Sequence, residues 1–468
     1  MARKPILLDA TGRAIEDALL RIGDALGAGD RQISFKRIQQ LIREDSIDDY
    51  LAIGDEIHVE KETSASIAVQ TTGTLSATFN EETWLGAVES VHHGVYEFVY
   101  DGSAWNQAEL GNGLLLSSYG ITTSGTAVEG DVITVTVSAL TLVFQYVAKD
   151  KMEMVNPALT HSAVLLLKNI YANYQFSAPE AIIYADTAMP AGTYHFNLYQ
   201  ASYIYYLNAG LQNKDVQFTL GSDVPKGGQI VVSTGDFRNS TQVSDLKFTS
   251  YGADRTTVIE SNIACSEGTS GTDLGSANTP ANSNKINSTD RTLYGSDKWS
   301  DCALRLWLNS DKLGNAWWSG QGRFDRKPTN ASMVANAGWM HGIERDFLAV
   351  LQPVKNTQVL NWFDGGTAQT VSDLFFLPSN NQVWFTDANP PTEGEPWDYF
   401  KIFSDNATAS TGADSNRIKL NGSTPYYWWL RSPNLYNSYA EYFVFPTGGW
   451  DYFYAYYSFG VCPACVIA

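Results

Sequence analysis

Basic residues are scarce, cysteines are few and no apolar stretch is long. The chain has 468 residues, with 31 Lys plus Arg against 50 Asp plus Glu and a net charge of −19. That balance argues against a nucleic-acid footprint, which needs clustered Lys and Arg. An acidic surface fits solubility in a crowded assembly. No apolar run approaches the roughly 20 residues of a membrane-spanning helix, so membrane insertion is not expected. The start, MARKPILLDATGRAIEDALL, offers two basic residues and then only Ile6-Leu7-Leu8 before Asp9. That is unlike a signal peptide and predicts folding in a cytoplasm, whatever the final site of action. Four cysteines (Cys265, Cys302, Cys462, Cys465) make no disulfide framework at this length. Cys462 and Cys465 have a metal- or redox-type spacing, but there is no second C-x-x-C, so they read as structural.

Catalytic patterns are also missing. The histidines (His58, His92, His93, His161, His195, His341) form no H-E-x-x-H or H-x-H spacing. There is no G-x-S-x-G elbow, no phosphate-cradling Gly loop and no metal loop with Asp at alternate positions. Asp48-Asp49 reads as a solvated face, and Arg323, Asp325, Arg326 and Lys327 as a surface turn before Pro328. The expectation is a non-enzyme with no catalytic residue, no metal and no cofactor.

What is present is β-rich. Aromatics reach 13% and there are 38 Gly, and the length predicts two to four domains. Residues 1–49 read as a separate helical segment. Ile15, Leu19, Ile22 and Leu26 make a short seam, either one helix packed on its own domain or a subunit or docking contact. A second helix starts at Ser34, an N-cap, with Phe35, Ile38, Leu41 and Ile42 on one side. Residues 64–140 alternate in strands such as IAVQTTGTLSATF and GVYEFVYDG, a small β-sandwich inserted between Gly54-to-Val59 and Leu140-to-Val147. A second β module covers 178–236, and 265–290 reads as a long polar loop. Short helices are expected over Asp301–Ser310, capped by Ser300 or Asp297, and over Ile343–Leu351. Val461–Ile467 reads as a closing strand near an edge because of Pro463.

The terminal stretch is the most unusual. Residues 434–459 hold seven Tyr and four Phe in 26 positions, and no Lys, Arg, Gln, Met or His. A core strand draws on Val, Ile and Leu, whereas Tyr supplies large contact area and tolerates water at its tip. Buried, so many phenol hydroxyls would need partners; facing solvent, they bond to water. The reading is an outward-facing aromatic binding surface.

The frame Trp428-Trp429-Leu430-Arg431-Ser432-Pro433, the aromatic and Asn block after it, and Gly460-Val461-Cys462-Pro463-Ala464-Cys465-Val466-Ile467 resemble the variable proteins of diversity-generating retroelements, of the C-type-lectin-fold kind found in phages of gut bacteria. In that family a reverse transcriptase copies a template with errors at adenines, so certain codons yield Tyr, Phe, Asn, Asp or Ser but never Trp, Glu, Gln, Lys or Met. The resemblance implies thirteen diversified, ligand-binding positions: Tyr436, Asn437, Tyr439, Tyr442, Phe443, Phe445, Asp451, Tyr452, Phe453, Tyr454, Tyr456, Tyr457 and Phe459. Trp428, Trp429, Arg431 and Trp450 would be scaffold, as would Glu441 and Pro446-Thr447-Gly448-Gly449. Ser300-to-Ser310, Gly322-to-Arg326 and Asn416-Arg417-Ile418 look like the body of such domains.

The implied fold is α+β: a discontinuous C-type-lectin-like domain (50–63, 141–177 and 237–468), two inserted all-β modules (64–140 and 178–236) and a short N-terminal helical segment. The related formylglycine-generating enzymes need a cysteine and metal arrangement that is not matched here, and calcium-dependent sugar binding needs ligands that are not matched either. The implied function is a phage receptor-binding protein or adhesin at a tail tip or fibre. Its expected partners are a host-surface protein or glycan, virion structural proteins through the N-terminal segment, and two further copies in a homotrimer. The alternatives are a non-diversified structural virion protein or a bacterial surface adhesin of the same fold.

Overall fold

In the computed structural model the described residues are 34–87, 94–177, 295–319, 328, 330–361, 366–385, 393–404, 414–435 and 439–468, together with isolated strands and short stretches between 181 and 276. The fold is mixed α+β, with short helices and several sheets.

A long antiparallel hairpin organises the first half. Strand Glu56–Gln70 pairs with Val132–Lys149, from Glu56 opposite Gln145 to Gln70 opposite Val132. The register slips between Glu62 and Ser64, where a bulge inserts one residue. Alternation along Val132–Lys149 then does two jobs. Leu142, Phe144 and Tyr146 enter the main core, while Ile133, Val135 and Val137 enter a second core with Leu75, Trp84, Tyr96, Phe98, Leu116 and Ile121. The two sets differ in parity, so they leave opposite faces of the strand. Trp84 anchors the second core, packing edge-on to Tyr96 at 5.1 Å. The 64–140 module, with its own core, grows out of the same two strands that floor the main core, which run unbroken through residues 63 and 140.

The same sheet continues on the other side of the long strand. Ala163–Leu167 lies between it and Ala464–Ile467, with every residue of both short strands buried. Ala464–Ile467 is the edge, as Pro463 predicts, and bridges from Phe376 to Ala464 and from Leu351 to Ile467 cover it.

Helix Phe35–Arg43 is capped by Ser34, whose hydroxyl accepts from Arg37 N. It buries Phe35, Ile38, Leu41 and Ile42 against helix Arg345–Val350, with Phe35 and Phe347 ring centroids 5.1 Å apart. Residues 34–49 thus belong to the main core and are not a separate attachment segment; the seam Ile15 to Leu26 lies outside the described residues. Helix Ala303–Leu308 is capped not by Ser300 or Asp297 but by Cys302, whose Sγ accepts from Arg305 N at 3.4 Å.

A second seven-stranded sheet runs in the order 181–184, 229–232, 247–251, 258–267, 215–220, 192–197, 272–276. Strands beyond 236 pair directly with strands before it, so the second module extends to at least Ser276. Part of the expected 265–290 loop is strand.

Candidate functional site

The Tyr-rich terminus forms a five-stranded sheet in the order Trp450–Tyr454, Ala440–Val444, Trp428–Pro433, Ser458–Gly460, Asn173–Gln175. Trp428 stands opposite both Val444 and Gly460, which locks the centre of the sheet. Its indole N–H donates to the Arg417 carbonyl at 2.9 Å, and that of Trp429 to the Tyr174 carbonyl at 3.0 Å. With those donors satisfied, both indoles are fully buried without a polar penalty. Arg431 is buried too, and donates to the carbonyls of Thr357 at 2.6 Å and Glu393 at 3.0 Å.

The hairpin turn is pinned from outside. Gly448 has φ +90°, and a Cβ there would lie 2.0 Å from the Asp414 carbonyl oxygen. Asp414 N donates to the Thr447 carbonyl, and the Asp414 carboxylate pairs with buried Arg417 at 2.6 Å. Gly448→Ala is expected to cost more than about 1 kcal/mol, through both φ and the clash, read as a lowered melting temperature. Unchanged melting would mean that the turn is not held by Asp414.

Of the positions read as scaffold, Trp428, Trp429 and Arg431 are buried and Trp450 is half-buried against Phe385. Glu441 is fully buried, and desolvation first, then Asp297 and Glu393, push its carboxyl well above the ordinary range.

The thirteen candidate binding positions divide. Tyr436 and Asn437 lie outside the described residues. Tyr439, Tyr442, Phe443 and Tyr454 are buried; Phe445, Asp451, Tyr452, Phe453, Tyr456, Tyr457 and Phe459 are half-buried. The expectation that all of these side chains stand out in solvent is corrected: among the described residues none is fully exposed. The physical reason is that the rings cover one another. Tyr454 stacks on Tyr456 at 6.0 Å, and Phe453 meets Tyr457 edge-on at 4.5 Å.

Register assigns the faces. Tyr442 opposes Tyr452, Ala440 opposes Tyr454 and Val444 opposes Trp450 on one face. Glu441 opposes Phe453 and Phe443 opposes Asp451 on the other, which Trp429 shares. On that second face Phe459 lies 4.6 Å from Trp429 and 4.8 Å from Phe443, and Tyr427 stacks on Phe459 at 5.2 Å. Trp429 and Phe443 make a buried floor; Tyr427, Phe445, Phe453, Tyr457 and Phe459 are half-buried around it. Sequence reasoning missed Tyr427. The available signal was its place two residues before Trp429, which puts both on one face.

Other groups offer little chemistry. Cys302, Cys462 and Cys465 are free and buried, and burial pushes the Cys462 thiol up to about 12 and that of Cys465 well up. Neither terminal cysteine is poised as a thiolate nucleophile or ligand. Asp45, Asp150 and His161 lie close enough to share an ion, but the Lys149 ammonium sits 2.7 Å from Asp45 and 2.8 Å from Asp48, an ion-pair network already complete.

A family model described as a domain of unknown function (DUF6273) matches residues 255–468, which take in all of the terminal sheet except Asn173–Gln175. No curated protein and no solved structure matches the chain.

Proposed function

We propose that the chain is a receptor-binding protein or adhesin of a phage virion, acting at the tail tip or a fibre, whose aromatic terminal face is diversified by a retroelement on a C-type-lectin-like body. The observation that carries this reading is the contrast within one small sheet. Trp428, Trp429, Arg431 and Glu441 are fully buried, while seven of the candidate positions are half-buried aromatics or Asp around them. A stiff floor with a partly open aromatic rim lets rim side chains change at small cost while presenting hot-spot residue types. The reading includes a homotrimer, in which several weak sites would gain by avidity. It includes no catalytic role.

The test is substitution of three half-buried tyrosines of the Tyr-rich terminus. Tyr452→Ser, Tyr456→Ser and Tyr457→Ser together should leave the protein folded, with a loss on the order of 1–2 kcal/mol, and abolish binding to host cells. Tyr454→Ser, a buried ring, should cost stability instead. If the triple variant binds cells as well as the parent does, the face is not the receptor site. Sequencing the gene across a phage population is the genetic counterpart. Changes confined to the thirteen positions support diversification, and a uniform spread favours a static structural protein.

A further inference from the structure

Resting on that reading of the face, a ligand class follows from what surrounds it. The face that carries the rim rings Tyr427, Phe445, Phe453, Tyr457 and Phe459 holds two carboxyl side chains: Glu441, opposite Phe453 and fully buried, and Asp451, directly opposite Phe443 and the one that reaches solvent. Asp451 is half-buried, and its only hydrogen bond among the described residues is from its neighbour's amide, Tyr452 N, at 2.8 Å. No Lys, Arg or His of the described residues pairs with it, and residues 434–459 contain none. The cations that do lie over aromatic rings, such as Lys419 over Trp428 and Arg417 over Phe385, serve the opposite side of the sheet or the core. The second face therefore joins several negative ring faces to a carboxylate with no positive partner among the described residues, in a chain of net charge −19.

We propose that this face takes a quaternary ammonium group displayed on the host surface, with the rim rings against its methyl groups and Asp451 as counter-ion. A primary ammonium or a guanidinium needs several hydrogen-bond acceptors when it leaves water. Three of the five rim rings are Phe and offer none. A trimethylammonium has no N–H to satisfy and is weakly hydrated, so ring faces plus one carboxylate suffice. Burial raises the Asp451 carboxyl above its usual range, in line with a site where a bound cation would restore the charge balance.

The experiment compares choline, its uncharged isostere 3,3-dimethylbutan-1-ol, and ethanolamine, each titrated into the full chain and followed by tryptophan fluorescence and by NMR of the ligand. Choline should bind about tenfold more tightly than either, a difference near 1.4 kcal/mol. Asp451→Asn should erase the preference over the isostere, and Phe453→Ala should weaken choline and isostere together. Equal binding of choline and the isostere to the parent protein, or a preference that survives Asp451→Asn, overturns the proposal. So does no binding of choline at 50 mM, about the weakest affinity such a site would have. The cell-binding assay separates the two claims. If a Phe453→Ala, Tyr457→Ser variant, both on this face, loses adsorption but choline neither binds nor competes, the receptor face stands and its cation specificity falls. If adsorption survives that variant, the face itself is wrong.

Discussion

Raising the pH from 5 to 7.5 should lower the melting temperature by several degrees, and Glu62→Gln should remove a large part of that loss. The cause lies at the bulge where the hairpin leaves the main core. Glu62 is buried there, its amide donates to the Gly342 carbonyl at 2.7 Å, and neither of its carboxylate oxygens has a hydrogen-bond donor. Around it stand Lys61 on its own strand, Glu81 at the start of helix Glu81–Ala87, and His341 on the loop from the core. His341 Nε2 is 3.7 Å from Glu81, and Arg345 donates to the Gly86 carbonyl at 2.6 Å, so this junction is where the 64–140 module docks on the body. Desolvation and then Glu81 push the Glu62 carboxyl up to about 7. A raised acid contributes stability that is complete below its unfolded value near 4.5 and lost as the pH climbs to about 7. After discounting for screening the loss is on the order of 2 kcal/mol, or roughly 5 °C in a body of this size.

The neighbours set the shape of the profile. Glu344, whose carboxylate accepts from Glu60 N, is likewise pushed by burial to about 7 and loses stability over the same interval. His341 is raised by Glu81 and the Asp311 carbonyl against an opposing desolvation, so it acts in the same direction as the pH passes its unfolded 6.5. Glu81 is lowered by His341 and contributes stability above 4.5 that is lost in stronger acid. Lys61, whose ammonium donates to the Trp339 carbonyl at 2.8 Å, is pulled down by burial to about 7, so stability recovers as the pH rises from there toward 10.5. The expected curve has its maximum near pH 5, its minimum near 7 and a partial recovery above. Glu62→Gln with Glu344→Gln should remove most of the acidic limb and leave only the smaller loss that His341 contributes above 6.5. A limb as steep in Glu62→Gln as in the parent would show that Glu62 does not hold its proton at the junction.

That junction also explains part of what the sequence did not disclose. The stretch VITVTVSALTLVFQYV carries apolar residues at 133, 135 and 137, then at 142, 144 and 146. The change of parity is legible as text, but it reads as two strands unless a bulge in the partner is known. Local patterns did yield helix Phe35–Arg43 with its Ser34 cap, and the buried Trp428-Trp429 pair. They could not yield the second sheet beyond 236, because the pairing of 247–251 with 229–232 is set by long-range contact and the intervening residues are polar. The aromatic terminus was misjudged for a different reason. Counting phenol hydroxyls as requiring solvent ignored that rings can shield each other in edge-on and stacked pairs while keeping one side accessible. The site came through as a set of residues, but its half-burial and its division into two faces needed the register.

Arg431→Met should be the most damaging single change in the terminal sheet, costing about 3–5 kcal/mol. The guanidinium is buried and spans three segments: Nη1 reaches the Thr357 carbonyl at 2.6 Å, and Nη2 reaches the Glu393 carbonyl at 3.0 Å and the Gln382 side chain at 3.4 Å. It is also the positive charge that Glu441 feels, against Asp297 and Glu393. Methionine fills the volume but leaves those acceptors unpaired and buried acids without a counter-charge. Lysine should not rescue the site, because a single ammonium cannot reproduce the planar fork toward three acceptors. Glu441→Gln removes the acid whose carboxyl Arg431 pulls down against the desolvation that pushes it up, so it should cost less in the Arg431→Met background than in the parent. Thermal unfolding of the four proteins measures the coupling directly. If the two changes simply add, Arg431 is a hydrogen-bond strut for three carbonyl groups and not a counter-charge. The rim would then rest on a floor held by geometry alone, and salt should not affect its stability.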